Sequence, residues 1–195
     1  PEGFTTIDVD RQLTKPMAGM NYPQRGAATA FTVQQNSDWN NVLDPVSGNQ
    51  TLVAIASQDE SSTVDDWLIS QQLTATDKSK FHFYARNWES TGSVLPDPKS
   101  EITVLVSTAS NTATTDFEVV RAKEEIPYYD YNEWGHFEVD LSAYAGKDVY
   151  VALQHTTAGA GNLAFFDDFT FTGFDGDGAG VDDITADLSE DTQVT

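Results

Sequence analysis

Two adjacent carboxylates, Asp167 and Asp168, interrupt an otherwise apolar run from Leu163 to Phe171. A carboxylate inside an apolar strand is costly unless it is paired, hydrogen-bonded or metal-bound. The pair therefore either caps nearby backbone N–H groups or helps to hold a hard cation such as Ca²⁺, which collects about six to eight oxygen ligands. Strand alternation predicts Asp167 on the face of Phe169 and Phe171, with Asp168 opposite. A second acidic pair, Asp65-Asp66 before Trp67, is expected to begin a strand rather than to bind metal.

The other chemistry-bearing stretch is aromatic: Ile126-Pro127-Tyr128-Tyr129-Asp130-Tyr131-Asn132-Glu133-Trp134. Sugars stack their C–H faces on flat rings while Asn, Asp and Glu fix the hydroxyls. Tyr128, Tyr129 and Tyr131, with Trp88 and Glu89 from an earlier loop, form the candidate ligand site. The alternative is that the tyrosines cover a sheet edge, and Trp134 is expected in the core. Catalysis finds little footing. His82, His136 and His155 all fall in strands without a nucleophile motif beside them. The one carboxylate pairing that a glycosidase could use is Glu89 with Asp130 or Glu133. Ala158-Gly159-Ala160-Gly161 precedes no helix and so is no phosphate loop.

The elements that must position these groups are strands. Lys80 to Arg86, Glu101 to Val106, Phe117 to Arg121, His136 to Leu141 and Asp148 to Leu153 alternate apolar and polar residues with a period of two. Leu163 to Phe171, Thr51 to Ala56, Trp67 to Ile69, Phe4 to Ile7 and Ala30 to Val33 add further strands. Asp44 to Asn49 and Leu95 to Pro98 are loops by composition, and Ser142 to Lys147 reads as one helical turn ended by Gly146. About ten short antiparallel strands without a helical stripe predict an all-β jelly-roll β-sandwich. Antiparallel strands put successive loops at alternate ends, so loops 87–100, 124–134 and 157–161 are expected together at one end.

The composition sets outer bounds. The chain has 195 residues, 39% hydrophobic and 11% aromatic, enough to fill one core. A formal net charge of -21, from 31 acidic and 10 basic side chains, argues against nucleic acid and anionic membranes and leaves divalent cations plausible. There are no cysteines, so thiolate metal sites, disulfides and cysteine nucleophiles are excluded. No apolar run is long enough for direct membrane insertion. The abrupt opening at Pro1 is expected to follow a leader or a first strand. Residues 1–172 are expected to form the sandwich. Residues 173–195, rich in Asp and without Lys or Arg, read as an acidic Gly/Asp linker or the start of a following domain.

Several blocks carry a family resemblance, in order along residues 1–172. They are Pro1-Glu2-Gly3-Phe4-Thr5-Thr6-Ile7-Asp8, Asp65-Asp66-Trp67-Leu68-Ile69-Ser70, Ile102 to Thr108, Val139 to Ala152, and Phe166-Asp167-Asp168-Phe169. Together they resemble the cleaved-adhesin or choice-of-anchor J modules of secreted Bacteroidetes proteins, including the adhesin regions of gingipains. The resemblance implies a jelly roll related to MAM and galactose-binding-like folds. It implies secretion or display at the cell surface in association with the outer membrane, other domains on the same polypeptide, and bound calcium in some members. It also implies binding of carbohydrate or a protein partner rather than catalysis. In such folds an acid at the position of Asp167 or Asp168 holds a structural cation with groups from the opening segment, here Asp8 or Asp10. Asp8-Val9-Asp10-Arg11 lacks the Asp-Gly-Asp-Gly run of some members. Two expectations follow: an adhesin-like binding module, or a ligand-free structural spacer that presents its neighbours.

Overall fold

The computed structural model describes residues 3–88, 99–127, 133–158, 161, 163–175 and 183–185. Twelve strands run in chain order: β1 (Phe4–Asp8), β2 (Thr32–Gln35), β3 (Gln50–Ile55), β4 (Thr63–Ser70), β5 (Leu73–Thr74), β6 (Lys80–Asn87), β7 (Glu101–Ser107), β8 (Glu118–Glu125), β9 (Gly135–Asp140), β10 (Asp148–Ala158), β11 (Leu163–Thr172) and β12 (Asp183–Thr185). Every strand pairing is antiparallel. One sheet has the order β1-β4-β10-β7-β8, with β5 beside β10. The other has the order β2-β3-β11-β6-β9, with β12 beside β11. The chain is a jelly-roll β-sandwich. Among the described residues the helical segments are short 3₁₀ turns, one of them Ser142–Tyr144, followed by Gly146 at φ 76°.

The period-two pattern is what closes the sandwich. Phe81, Phe83 and Ala85 of β6, Phe137 and Val139 of β9, and Val149, Val151 and Leu153 of β10 point inward and are buried together. Their alternates Lys80, His82 and Tyr84 face outward. The rings of Phe81, Phe83, Phe169 and Phe171 stack through the middle, with centroids 4.7 to 6.1 Å apart. Burying one such side chain is worth about 1.5–3 kcal/mol.

A second apolar cluster lies on the outer face of the β2-β3-β11-β6-β9 sheet. The long segment between β1 and β3 folds back over that face, placing Tyr22, Trp39 and Leu43 against Val53, Ile55, Leu163 and Phe165. This explains why β3 is buried on both faces and reads as a nearly continuous apolar run. At the edge of the other sheet β8 is mostly exposed and carries Glu118, Arg121, Lys123, Glu124 and Glu125, a charged edge that discourages further strand pairing.

One sequence expectation is corrected here. The pairing of β11 with β6 shifts by one residue between Asp167 and Thr170, a β-bulge with Asp168 at φ 46°. Ala164 and Phe166 face the inner core before the bulge, and Phe169 and Phe171 face it afterwards. Asp167 therefore lies on the opposite face from Phe169 and Phe171, because the extra residue breaks the alternation on which the expectation rested. Phe174 is buried in the core and Asp175 bridges to Thr74. Gly173 makes the turn that leads into Phe174 at φ 69°, where an added Cβ would stand 2.5 Å from the Lys78 carbonyl oxygen.

Candidate cation and ligand site

The register of the sheets gathers one set of loops at a single end. Asp8 pairs with Asp66, Asp66 with His155, His155 with Ile102, and Ile102 with Glu124, one row across the β1-β4-β10-β7-β8 sheet. The segments that leave or join this end are 9–31, 56–62, 88–100, 126–134 and 159–162. The strand ends Asn87, Glu101, Glu125, Gly135, Ala158 and Leu163, from which those three segments run, lie at this end together with the segment that follows Asp8.

At this end Asp8, Asp10 and Asp66 each offer a carboxylate oxygen, all within 4.8 Å of one another. Backbone N–H groups orient two of the three. Arg11 N–H donates to Asp8 Oδ1 at 2.5 Å, Gln12 N–H to Asp10 Oδ1 at 2.8 Å, and Asp65 N–H to Asp10 Oδ2 at 2.6 Å. Asp66 differs. Its side chain follows the inward parity of Val64 and Leu68, it is 2% exposed, and among the described residues no N–H or O–H donates to it. It lines a small hollow together with the oxygen-bearing Asp10, Gln12, Thr14, Thr29 and Ser57 and the apolar Ile55 and Val64.

Burial, and then the charges of Asp10, Asp8 and Asp65, push the Asp66 carboxyl up to about 9. Burial likewise raises Asp8. Asp65 is committed elsewhere: its Oδ1 accepts from Trp67 Nε1 at 2.8 Å and from Gln154 Nε2 at 2.7 Å. Three converging carboxylates, one of them buried without a donor, fit a hard divalent cation, which would supply the missing positive charge.

His155 stands behind Asp66, fully buried, with its ring edge-on to Phe31 and Phe166. Burial pushes it down to about 3, so imidazole and carboxyl are both neutral and their 3.9 Å approach is no ion pair. His155 Nε2 contacts Ser100 Oγ at 2.9 Å. Ser100, His155 and Asp66 have the residue types of a nucleophilic triad. Ser100 is nevertheless buried, and 3.9 Å is too long for the base–acid hydrogen bond.

Asp167 and Asp168 lie apart from this cluster. Asp167 Oδ2 accepts from Val46 N–H at 2.8 Å and its Oδ1 from Asp168 N–H at 2.9 Å, while Ser47 Oγ donates to Asp168 Oδ1 at 2.5 Å. They tie the Asp44–Asn49 loop to the bulge, Asp167 by accepting backbone N–H groups and Asp168 by accepting the Ser47 hydroxyl. Burial still raises Asp167 to about 6 against those N–H groups.

Of the candidate ligand residues, Trp88 is half-buried in the outer-face cluster, edge-on to Phe165 at 5.6 Å. Trp134 joins the same cluster rather than the inner core. Its Nε1 donates to the Asp44 carbonyl at 3.0 Å and its ring lies 4.7 Å from the Arg86 guanidinium. Glu89, Tyr128, Tyr129 and Tyr131 lie outside the described residues. Sequence reasoning missed Asp66 and His155. The signal was present: Val64, Asp66, Leu68 and Val149, Val151, Leu153, His155 share inward parity.

The architecture defines the class of a jelly-roll sandwich with an acid-lined loop end. No known family and no curated protein matches the sequence. Among solved structures, the K1 cleaved adhesin domain of Lys-gingipain from Porphyromonas gingivalis W83 is similar at 17% identity, covering 90% of this chain and 93% of that one, with a TM-score of 0.59. TmCBM61 in complex with β-1,4-galactotriose is similar at 12% identity, 86% coverage of each chain and a TM-score of 0.52. A Stig cyclase from Fischerella sp. TAU is similar at 13% identity, with coverages of 88% and 84% and a TM-score of 0.50. These likenesses establish the fold, and one fold hosts both binding and catalysis.

Proposed function

We propose that this chain is a non-catalytic binding module of a secreted or surface-displayed protein. A structural divalent cation, Ca²⁺ by the all-oxygen donor set, pins the opening segment to the end that carries the ligand loops. The observation that carries the reading is the convergence of Asp8, Asp10 and Asp66 within 4.8 Å with Asp66 buried and without a donor. That arrangement serves no packing purpose, since a buried carboxyl without a partner costs free energy. Asp8 and Asp10 keep the role expected of the opening segment, and Asp66 takes the place expected for Asp167 or Asp168.

The ligand is a carbohydrate or a protein, and the residues proposed to meet it are Trp88, Glu89, Tyr128, Tyr129 and Tyr131, which fall in the sequence between strand ends that lie at the same end as the acid cluster. Adhesin and carbohydrate-binding domains among the similar folds support this reading. Ser100 is too enclosed to meet a substrate, which supports binding over catalysis.

Calorimetric titration of chelator-treated protein with CaCl₂ tests the cation, with Asp66→Asn and Asp10→Asn as controls. No heat and no rise in melting temperature in the unsubstituted protein would remove it. A glycan array with Tyr129→Ala tests the ligand loops. A second reading, a ligand-free spacer, is favoured by the packing of Trp88 and Trp134 into the outer-face cluster. An array without binding at saturating Ca²⁺ would select it.

A further inference from the structure

His155 raises a question that the cation site alone does not answer. A fully buried imidazole in an apolar core needs both ring nitrogens satisfied. Nε2 meets Ser100 Oγ at 2.9 Å, but among the described residues Nδ1 has no hydrogen-bond partner. Asp66 Oδ2 stands 3.9 Å from it, and none of the described N–H or O–H groups donates to that carboxylate. The orphaned Nδ1 thus faces Asp66 about 1 Å beyond hydrogen-bond reach.

The far side of the imidazole leads to the loops. Ser100 N–H donates to Asn87 Oδ1 at 3.1 Å, Asn87 Nδ2 donates to the Ile126 carbonyl, and Ile126 N–H donates back to the Ser100 carbonyl at 2.8 Å. Asn87 ends β6, Ser100 precedes β7 and Ile126 follows β8. This closed set of hydrogen bonds is therefore the common root of the two loops that carry the ligand candidates.

We infer that His155 is a positioning residue for the cation held by Asp8, Asp10 and Asp66: its Nδ1–H donates to the ionised Asp66 while Nε2 accepts from Ser100, so that cation binding is tied to the roots of loops 88–100 and 126–134. The inference rests on the cation reading above. Asp66 Oδ2 faces Nδ1, and a hydrogen bond from Nδ1–H to it fixes the tautomer and leaves Nε2 as the acceptor for the Ser100 hydroxyl. Donors behind a metal ligand set its orientation, and their loss typically costs about 10–100-fold in metal affinity. Coupling of this kind is reciprocal, so a ligand that binds through these loops also tightens the cation.

The test compares the unsubstituted chain with His155→Phe, His155→Gln and His155→Asn. Ca²⁺ affinity is read by calorimetry, and amide hydrogen exchange is read at Ser100 and Ile126 with Ca²⁺ or chelator. Phe fills the space without nitrogens, Gln reaches Ser100 but not Asp66, and Asn places an N–H where Nδ1 stands. The expected result is an affinity loss of at least about 10-fold for Phe and Gln, in the range given above for such donors, and near-normal affinity for Asn. Ca²⁺-dependent slowing of exchange at Ser100 and Ile126 is expected in the unsubstituted chain and absent in Phe and Asn. Unchanged affinity in Gln, or unchanged Ca²⁺-dependent protection in Asn, overturns the inference while leaving the cation reading intact. Absence of Ca²⁺ binding to the unsubstituted chain overturns both. Should Phe not fold, Gln and Asn decide alone.

Discussion

Asp66→Asn separates the cost of a buried carboxyl from the use made of it. Without a cation at pH 7 the folded protein keeps Asp66 protonated, since burial and the neighbouring acids raise it to about 9, whereas the unfolded chain ionises it near 3.8. The folded state therefore binds the extra proton. Its stability from this group is fully present below pH 3.8 and is lost steadily as pH rises toward 9. Holding the proton at pH 7 costs on the order of 1.36 kcal/mol for each of about three pH units, roughly 4 kcal/mol as an upper bound, and less than about 2 kcal/mol at pH 5.

Asparagine removes that cost and offers the His155 nitrogen a partner. In chelator at pH 7 the variant should melt higher by up to roughly 8–16 °C, shrinking to a few degrees at pH 5. Ca²⁺ at about 100 times its dissociation constant should then stabilise the unsubstituted protein by about 2.7 kcal/mol and the variant by much less. Scanning calorimetry at both pH values, with and without Ca²⁺, reads all four numbers. A variant that is equally destabilised at pH 5 and pH 7 in chelator would refute the reasoning.

Three further outcomes are expected. Asp167→Asn should cost about 1–3 kcal/mol in urea unfolding, because the Val46 and Asp168 N–H groups lose their carboxylate acceptor, while calorimetry finds Ca²⁺ affinity unchanged. Gly173→Ala should cost at least about 1 kcal/mol by the same assay, since its Cβ meets the Lys78 carbonyl at 2.5 Å and its φ is positive. Trp134→Ala should cost about 3–5 kcal/mol through lost packing over Arg86 and the lost Asp44 hydrogen bond; a loss below 1 kcal/mol would place the ring outside the stable structure.

Most of the sandwich was legible because the strands alternate cleanly. His136 to Asp140 shows one face buried and one exposed, as its sequence reads. The ends of the strands were less legible. The extra residue at Asp168 is invisible to a period-two reading and reversed the face of Asp167. The outer-face cluster is hidden in the sequence because its partners, Tyr22, Trp39 and Leu43, come from a segment without period, so the sequence does not say which cluster Trp134 joins. The cation candidate was half legible: Asp8 and Asp10 were singled out through the resemblance, but Asp66 looked like a strand start. Only the register that sets Asp8 opposite Asp66, and Asp66 opposite His155, brings them together.

The register of β1 also has a mechanical side. Phe4 pairs with Ser70 at the end away from Asp8 and Asp66, and Gly173 and Asp175 lie at that same end beside Lys78 and Thr74. Tension drawn through Gly3 and Asp175 would therefore load one pole of the sandwich, opening the β1–β4 pairs in series from Phe4–Ser70 toward Asp8–Asp66 like a zipper. The last tooth of that zipper is the acid cluster. A cation clasped there would act as its stop, so that a pull on the tether would have to break ionic coordination before it could disturb the loops beyond.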